Sequence, residues 1–522
     1  MDLLDAAYRA GIALASSCGG EGLCGKCKVV IKKGEVKCEQ SRVLNEKDRR
    51  EGYVLACEAL VESDLVVFVP PGSIEFVEKL PKDAGEIPEV ELGEATKSNF
   101  GFAFDIGTTT ITGQLIDLAS HRVCGTRIAY NRQTVFGADV IARIIYAQAP
   151  EGLERLNEAV LANINEMAEE LALSKGIRLG DIFSCVIAGN TTMTHLLFKV
   201  DPSHIRKVPY IPTITIVPFV NASEVGIKIN PKGVIYCLSG VSAYIGGDVV
   251  AGVLSSGLFE DESLSILVDI GTNGEIVLGN REWMMACSAS AGPAFEGSGV
   301  ASGMKAVAGA IQKASIDDKY RVSFETIAGE KPKGICGSGY IDLIKCLLKT
   351  RIIGRDGRMD GSLKSKRIRK TDSGYEFIVA FASESATEKD ITISEDDIEN
   401  IKRSKAAIYS AIMALVCKVD VNLADVKRIY VAGGFGNYLD IESAIYIGLL
   451  PDIDRKIYKF IGNSSLAGAR LSLVSEDALK KTDDIYKKIT YLSLSSEIGY
   501  MDEYIAALFF PHTDLERFPS VR

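Results

Sequence analysis

FGFAFDIGTTTITGQLIDL, residues 100–118, decides the fold. An apolar run leads into Asp-Ile-Gly-Thr and a second apolar run follows, which predicts two strands joined by a tight hairpin. LSILVDIGTNGEIVLGN, residues 264–280, repeats the plan. Asp105 and Asp269 take the same place in the two copies, so the chain carries an internal duplication, and a ligand clamped between two similar halves is its physical reason. Gly107 and Gly271 are expected to allow positive φ and close backbone approach. Thr108, Thr109 and Thr110, with Thr272, Asn273 and Gly274 in the second copy, supply hydroxyl, amide and N–H donors for phosphate oxygens. Asp105 and Asp269 suit Mg2+, a hard cation that prefers oxygen ligands. A third stretch, IYVAGGFGNYLD (429–440), runs a strand into Gly433, Gly434 and Gly436, where a nucleoside can lie against bare backbone. No Walker A loop occurs.

Outward from these hairpins, helical periodicity marks residues 152–173 and 397–418. Towards the start of the chain, CGGEGLCGKC (18–27) and LACEAL (55–60) space four cysteines as C-x5-C-x2-C-x29-C. A [2Fe–2S] cluster needs four thiolates, and three of them usually come from one loop. Cys18, Cys24, Cys27 and Cys57 are therefore the candidate metal ligands. The remaining eight of the twelve cysteines show no metal spacing. Scattered thiols in a long chain point to a reducing cytoplasm.

With 522 residues the chain is long enough for several full cores. Lys and Arg number 59 against 69 Asp and Glu, a net charge of −10, so nucleic acid is not an expected partner. Residues 26–50 run the other way, with nine Lys or Arg against four Asp or Glu, and read as a solvated face, with a docking patch for an acidic partner as the alternative. No apolar stretch reaches the ~18 residues of a membrane span, so no membrane partner is expected.

Residues 1–75 resemble the plant-type [2Fe–2S] ferredoxins, a β-grasp fold. That family has a β-hairpin ahead of its first helix, whereas this chain starts at the helix LLDAAYRAGIAL. Upstream residues are therefore expected to be missing, leaving the strand DLVVFVP (64–70) without a neighbour and with an exposed edge. Residues 76–98 are charged, contain Pro and Gly, and read as a linker. The two hairpins and the glycine stretch resemble the two phosphate motifs and the adenosine motif of the acetate-and-sugar-kinase/Hsp70/actin superfamily. CVIAGNTTMTHLL (185–197) and GNSSLAGARLSL (462–473) resemble its connecting motifs. The resemblance implies an α/β fold of two RNase-H-like halves, 99–262 and 263–522 with a C-terminal extension, and a nucleotide site in the cleft between them. Asn190 and Glu275 are candidates for orienting water, each weighed against a plain role as a helix cap or a surface carboxylate.

Together, the ferredoxin-like unit, DIGTTT, DIGTNGE, ICGSGYID and YVAGGFGNYLD resemble the reductive activators of corrinoid-dependent proteins. The resemblance implies ATP-dependent reduction of an inactive Co(II) corrinoid to Co(I), with the electron passed through the [2Fe–2S] cluster. It implies Asp105, Asp269 and Asn190 as catalytic groups and ATP and Mg2+ as cofactors. Its implied partners are a corrinoid protein, an external low-potential electron donor and a second copy in a homodimer, in the cytoplasm. Three other readings compete: an electron activator of another low-potential enzyme, a small-molecule kinase with an appended ferredoxin, and a redox-sensing ATP-dependent interaction protein. SASAGPAFEGSGVASGM (288–304), with Ser288 and Ser290, is a corrin-facing candidate, but is read rather as a loop of the nucleotide site. GICGSGYIDLI (334–344) is read as a turn into a helix, and His195 as a packed helix residue.

Overall fold

The computed structural model describes residues 2–9, 14, 25, 27–38, 41, 43–44, 46–70, 73, 100–137, 139–297, 299–433 and 439–521. It divides into two compact units, residues 1–259 with 463–491, and residues 260–462 with 492–522.

In the first unit, helix Leu3–Arg9 precedes strands β1 (Lys28–Lys33), β2 (Val36–Cys38), β3 (Tyr53–Leu55), β4 (Ala59–Val61) and β5 (Val66–Phe68). β1 is central, with β3 and β5 antiparallel on either side, while β2 pairs with β4. Leu3, Leu4, Leu14, Val29, Leu44 and Leu55 form the core beneath them. The sequence predicts one strand through residues 27–36, but the chain breaks it at Gly34. There φ is +94°, and a Cβ would fall 2.2 Å from the Asp64 carbonyl oxygen. β5 does have a neighbour, β1, on one side; it also ends the strand order, and Val66 and Phe68 are exposed.

The rest of this unit is built on β6 (Phe100–Ile106), β7 (Thr110–Asp117), β8 (Arg122–Tyr130), β9 (Ser184–Gly189), β10 (Val220–Asn221) and β11 (Val234–Cys237). The order is β10-β11-β9-β6-β7-β8. β6, β7 and β8 form an antiparallel meander, whereas β9 and β11 continue the sheet in parallel with β6. A parallel neighbour needs a crossover, and helix Gly152–Leu173 supplies it. Its buried Leu156, Val160, Ile164, Met167 and Leu171 recur at helical spacing and share a core with Phe102, Phe104 and Ile111. Helices Gly247–Ser256 and Ser464–Val474 also pack in this unit.

The second unit repeats the plan. β12 (Ser265–Ile270), β13 (Gly274–Gly279) and β14 (Met284–Ala289) form the meander. Two small three-stranded sheets follow: β15 (Ala310–Ile316), β16 (Val322–Thr326) and β17 (Gly334–Ile335), then β18 (Ile368–Thr371), β19 (Gly374–Ala380) and β20 (Ile391–Ser394). β21 (Arg428–Ala432) and β22 (Tyr458–Gly462) then extend the main sheet in parallel with β12. The crossover is helix Glu395–Lys418, which starts at a capping box between Ser394 and Asp397. The duplication extends to the parallel neighbour of each Asp but not to hairpin register, since the first turn spans residues 107–110 and the second residues 271–273. Asp105 lies between Thr112 and Ala188 on its neighbouring strands, and Asp269 lies between Glu275 and Ala432.

Candidate functional site

β1 and β3 pair Lys28 with Leu55, which brings the residue before β1 and the residue two beyond β3 to one end of the sheet. Those residues are Cys27 and Cys57, whose Sγ atoms lie 3.3 Å apart. The Ala56 N–H donates to the Cys27 carbonyl at 2.9 Å and fixes the approach. Two sulfurs at this separation suit two thiolates on one metal ion. Gly25, with φ +65°, helps shape the turn; a Cβ there would meet Val43 at 2.7 Å. Cys18 and Cys24 lie outside the described residues.

The first hairpin closes between Ile106 and Ile111. Gly107 donates its N–H to the Thr110 carbonyl at 3.0 Å. The positive φ expected at Gly107 and Gly271 is absent at both. Gly107 is required by close approach instead, since a Cβ would sit 2.6 Å from that Thr110 oxygen. At Gly271 the nearest atoms would be at 3.6 Å, so nothing among the described residues demands glycine there. Thr108 is buried, and its Oγ1 accepts the Asn190 amide at 3.0 Å. Asn190 Oδ1 accepts from Met193 N, capping helix Thr191–Leu197. The described geometry thus shows Asn190 as a cap that also holds the hairpin.

Asp105 is bonded through both oxygens. Asn463 Nδ2 donates to Oδ2 and Ser465 Oγ to Oδ1, each at 2.8 Å. Burial pushes this carboxyl's pKa up, and the two donors oppose that rise without cancelling it.

In the second unit, Gly271 N–H donates to Asn273 O at 3.0 Å, closing the turn between β12 and β13. Thr272 Oγ1 donates to Glu296 Oε2 at 2.6 Å, and Ser288 Oγ to Glu275 Oε1 at 3.3 Å. The 288–304 loop is therefore tied to the second hairpin by its own carboxylate. Helix Glu395–Lys418 holds it from the other side, through Ser404 to the Ala291 carbonyl and Asp397 to the Ala301 N–H. Gly433, after β21, has φ +114°, and a Cβ would come 2.3 Å from the Ile270 carbonyl oxygen. Gly434 and Gly436 lie outside the described residues.

Two other expectations are met. Cys336 stands just before helix Gly337–Lys349, so GICGSGYIDLI turns into a helix. His195 is buried, with Nδ1 2.7 Å from the Thr191 carbonyl and Nε2 accepting from Ile214 N at 3.3 Å.

Sequence reasoning passed over Asn463, Ser465, Glu296 and Arg143. Arg143 carried a readable signal, a lone cation inside the apolar run VIARIIYA. Glu296 carried none.

Three family profiles match the chain: a 2Fe-2S iron-sulfur cluster binding domain over residues 1–62, the RACo middle region over 100–261, and the C-terminal ASKHA domain of RACo over 263–522. A solved structure described as a reductive activator for corrinoid, iron-sulfur protein superposes with a TM-score of 0.80 at 39% identity, covering 100% of this chain and 97% of that one. The chain belongs to the reductive activators of corrinoid proteins. Curated members of similar length include the corrinoid activation enzyme RamQ of Eubacterium limosum, 29% identical over 96% of this chain and 94% of that protein. A [Co(II) methylated amine-specific corrinoid protein] reductase of Methanosarcina barkeri is 27% identical over 78% and 76%. Like its family, this activator combines a ferredoxin-type [2Fe–2S] domain with an actin-like ATPase domain that takes ATP and Mg2+. No helix among its described residues is long and apolar enough to cross a membrane.

Proposed function

We propose that the chain uses ATP to return an inactive Co(II) corrinoid, carried by a client protein, to Co(I). One electron from an external low-potential donor reduces the cobalt, and ATP and water become ADP and phosphate. The observation that carries the reading is the union, in one chain, of the paired Cys27 and Cys57 thiols with two Asp-Ile-Gly-Thr hairpins, each with its Asp beside an alanine of a parallel strand. Full-length similarity to a reductive activator supports it.

Cys18, Cys24, Cys27 and Cys57 would hold the cluster, which when bound supplies a one-electron carrier. Asp105 and Asp269 would hold Mg2+, directly or through water. The turns at 107–110 and 271–274 would receive phosphate oxygens, Gly433, Gly434 and Gly436 the adenosine, and Asn190 would fix the first turn. In this reading residues 1–75 carry electrons, 76–98 link, 99–262 and 263–522 form the ATPase halves, and the protein works in the cytoplasm as a homodimer.

Reducing Co(II) is uphill for a [2Fe–2S] donor. Shifting a two-state equilibrium from 1:99 to 99:1 takes ~5.5 kcal/mol, equivalent to roughly 230 mV for one electron. A nucleotide-driven step that removes an axial cobalt ligand in the client would act on that scale. The test is anaerobic mixing of reduced protein with a Co(II) corrinoid protein at fixed donor potential, following Co(I) absorbance. MgATP should raise the extent of reduction. Equal reduction with and without it overturns the proposal.

A further inference from the structure

Arg143 lies on helix Val140–Ala147 and has 0% of its surface exposed, yet among the described residues it contacts no carboxylate. Its guanidinium donates only to neutral acceptors. Nη2 bonds the Thr108 carbonyl, Nε the Gly137 carbonyl at 2.9 Å, and Nη1 lies 3.2 Å from Gln133 Oε1 and 3.4 Å from Met193 Sδ. The acidic group that acts on it is Asp139, whose Oδ1 accepts from Ala142 N at the helix start. A charge taken out of water without a carboxylate in contact is costly, so this one calls for a reason. Burial brings its pKa down to about 10, which leaves it a cation at neutral pH.

The neighbouring bonds show where that charge acts. Asn131 Nδ2 donates to the Gly107 carbonyl and Asn131 N to the Thr109 carbonyl, both at 3.0 Å. Three consecutive carbonyls, Gly107, Thr108 and Thr109, are thus each held by Asn131 or Arg143. In a planar trans peptide the N–H that follows each carbonyl points the opposite way. Gripping these oxygens therefore aims the Thr109 N–H away from Arg143 and the Thr108 and Thr110 N–H groups away from Asn131, as an anion-binding turn requires. The second hairpin is backed differently, since Thr272 is held by the carboxylate of Glu296.

We propose that Arg143 is a positioning residue of the first phosphate turn: its buried, unpaired charge orients the turn through Thr108 and is balanced by the polyphosphate of the bound nucleotide. The assignment rests on the nucleotide reading above. It makes Arg143 the fixed cation that a Walker A lysine provides elsewhere, acting through backbone instead of by direct contact.

The test compares MgADP and adenosine as probes, by isothermal titration, on full-length wild type, Arg143→Met and Arg143→Lys. Loss of a charge-assisted bond and of the charge itself should weaken MgADP binding to Arg143→Met about ten- to a hundredfold. Adenosine, which lacks phosphate, should bind all three proteins within about twofold. Arg143→Lys keeps the charge but not the planar fork and should fall between wild type and Arg143→Met for MgADP; it carries the comparison if Arg143→Met does not fold. Unchanged MgADP affinity in the variants, or equal losses for MgADP and adenosine, overturns the assignment. A wild type that binds neither probe overturns the nucleotide reading instead.

Discussion

Asn463 donates its side-chain amide to Asp105 at 2.8 Å across 358 positions of sequence. The same Asn463 caps helix Ser464–Val474 through Oδ1, which accepts from Leu466 N at 2.8 Å. One side chain thus fixes both the helix start and the carboxylate at the end of β6. Asn463→Asp separates the two duties. Aspartate caps a helix as well as asparagine does, but it sets a second carboxylate against Asp105. Two carboxylates at that distance cannot both ionise cheaply, so one pKa rises in the folded state. A group whose folded pKa is raised gives stability at low pH that is lost as pH climbs through it. Asn463→Asp should therefore lose more unfolding free energy relative to wild type at about pH 8 than at about pH 5.5, as read by urea denaturation.

The thiol pair gives a second expectation. Cys57→Ser should remove the visible absorbance of the cluster and corrinoid reduction, and leave MgADP binding unchanged. Asp269→Ala should do the reverse, keeping the absorbance and losing nucleotide. Cys38→Ser changes an exposed cysteine on β2, outside the ligand spacing, and should alter neither readout.

How far the sequence could be read depended on whether the information was local. Both hairpins were legible because apolar run, turn and Asp recur within nineteen residues or fewer. Helices Gly152–Leu173 and Glu395–Lys418 were legible because each carries a periodic buried face. The need for glycine at the Gly34 break was not, since the atom a Cβ would meet is the Asp64 carbonyl oxygen thirty residues away. Nor was the return of residues 463–491 to the first unit, which depends on contacts with β6, β9 and helix Gly247–Ser256. The partners of Asp105 were hidden for the same reason. GNSSLAG could be read as a connecting motif, but no local pattern says which of its side chains reaches a carboxylate over three hundred residues upstream. Of the two properties expected at Gly107, close backbone approach is met, by the Thr110 carbonyl oxygen, and positive φ is not.

His195 predicts a pH effect. Burial holds its imidazole below the usual histidine range, against the opposing pull of its bond to Thr191. With Nε2 accepting from Ile214 N, the neutral ring is the form that fits. The unfolded chain protonates this histidine near pH ~6.5, so as pH falls below that value the unfolded state binds a proton that the folded state refuses. The stability this ring provides is present above ~6.5 and lost below it. His195→Gln should be less stable than wild type at about pH 7.5, through lost packing, yet lose less on acidification to about pH 5.5. A pH slope as steep as that of wild type would contradict the neutral, buried ring.

Gly468 sits where helices Ser464–Val474 and Gly247–Ser256 touch backbone to backbone. A Cβ there would lie 2.2 Å from the Ala251 carbonyl oxygen and 2.5 Å from its carbonyl carbon. Neither atom can swing aside as a side chain would, so Gly468→Ala must push the helices apart. Overpacking of this kind costs about 1–3 kcal/mol or more. The displaced helix carries Asn463 and Ser465 at its start, so their grip on Asp105 should loosen with it. Gly468→Ala is therefore expected to lower the urea midpoint and to weaken MgADP binding together. Gly180→Ala is the control. It has open space at the Cβ position and no left-handed φ, and should be neutral or slightly stabilising, since alanine restricts the unfolded chain more than glycine does. If Gly468→Ala lost stability while binding MgADP as wild type does, the helix start would not control Asp105, and the two donors would serve the fold alone.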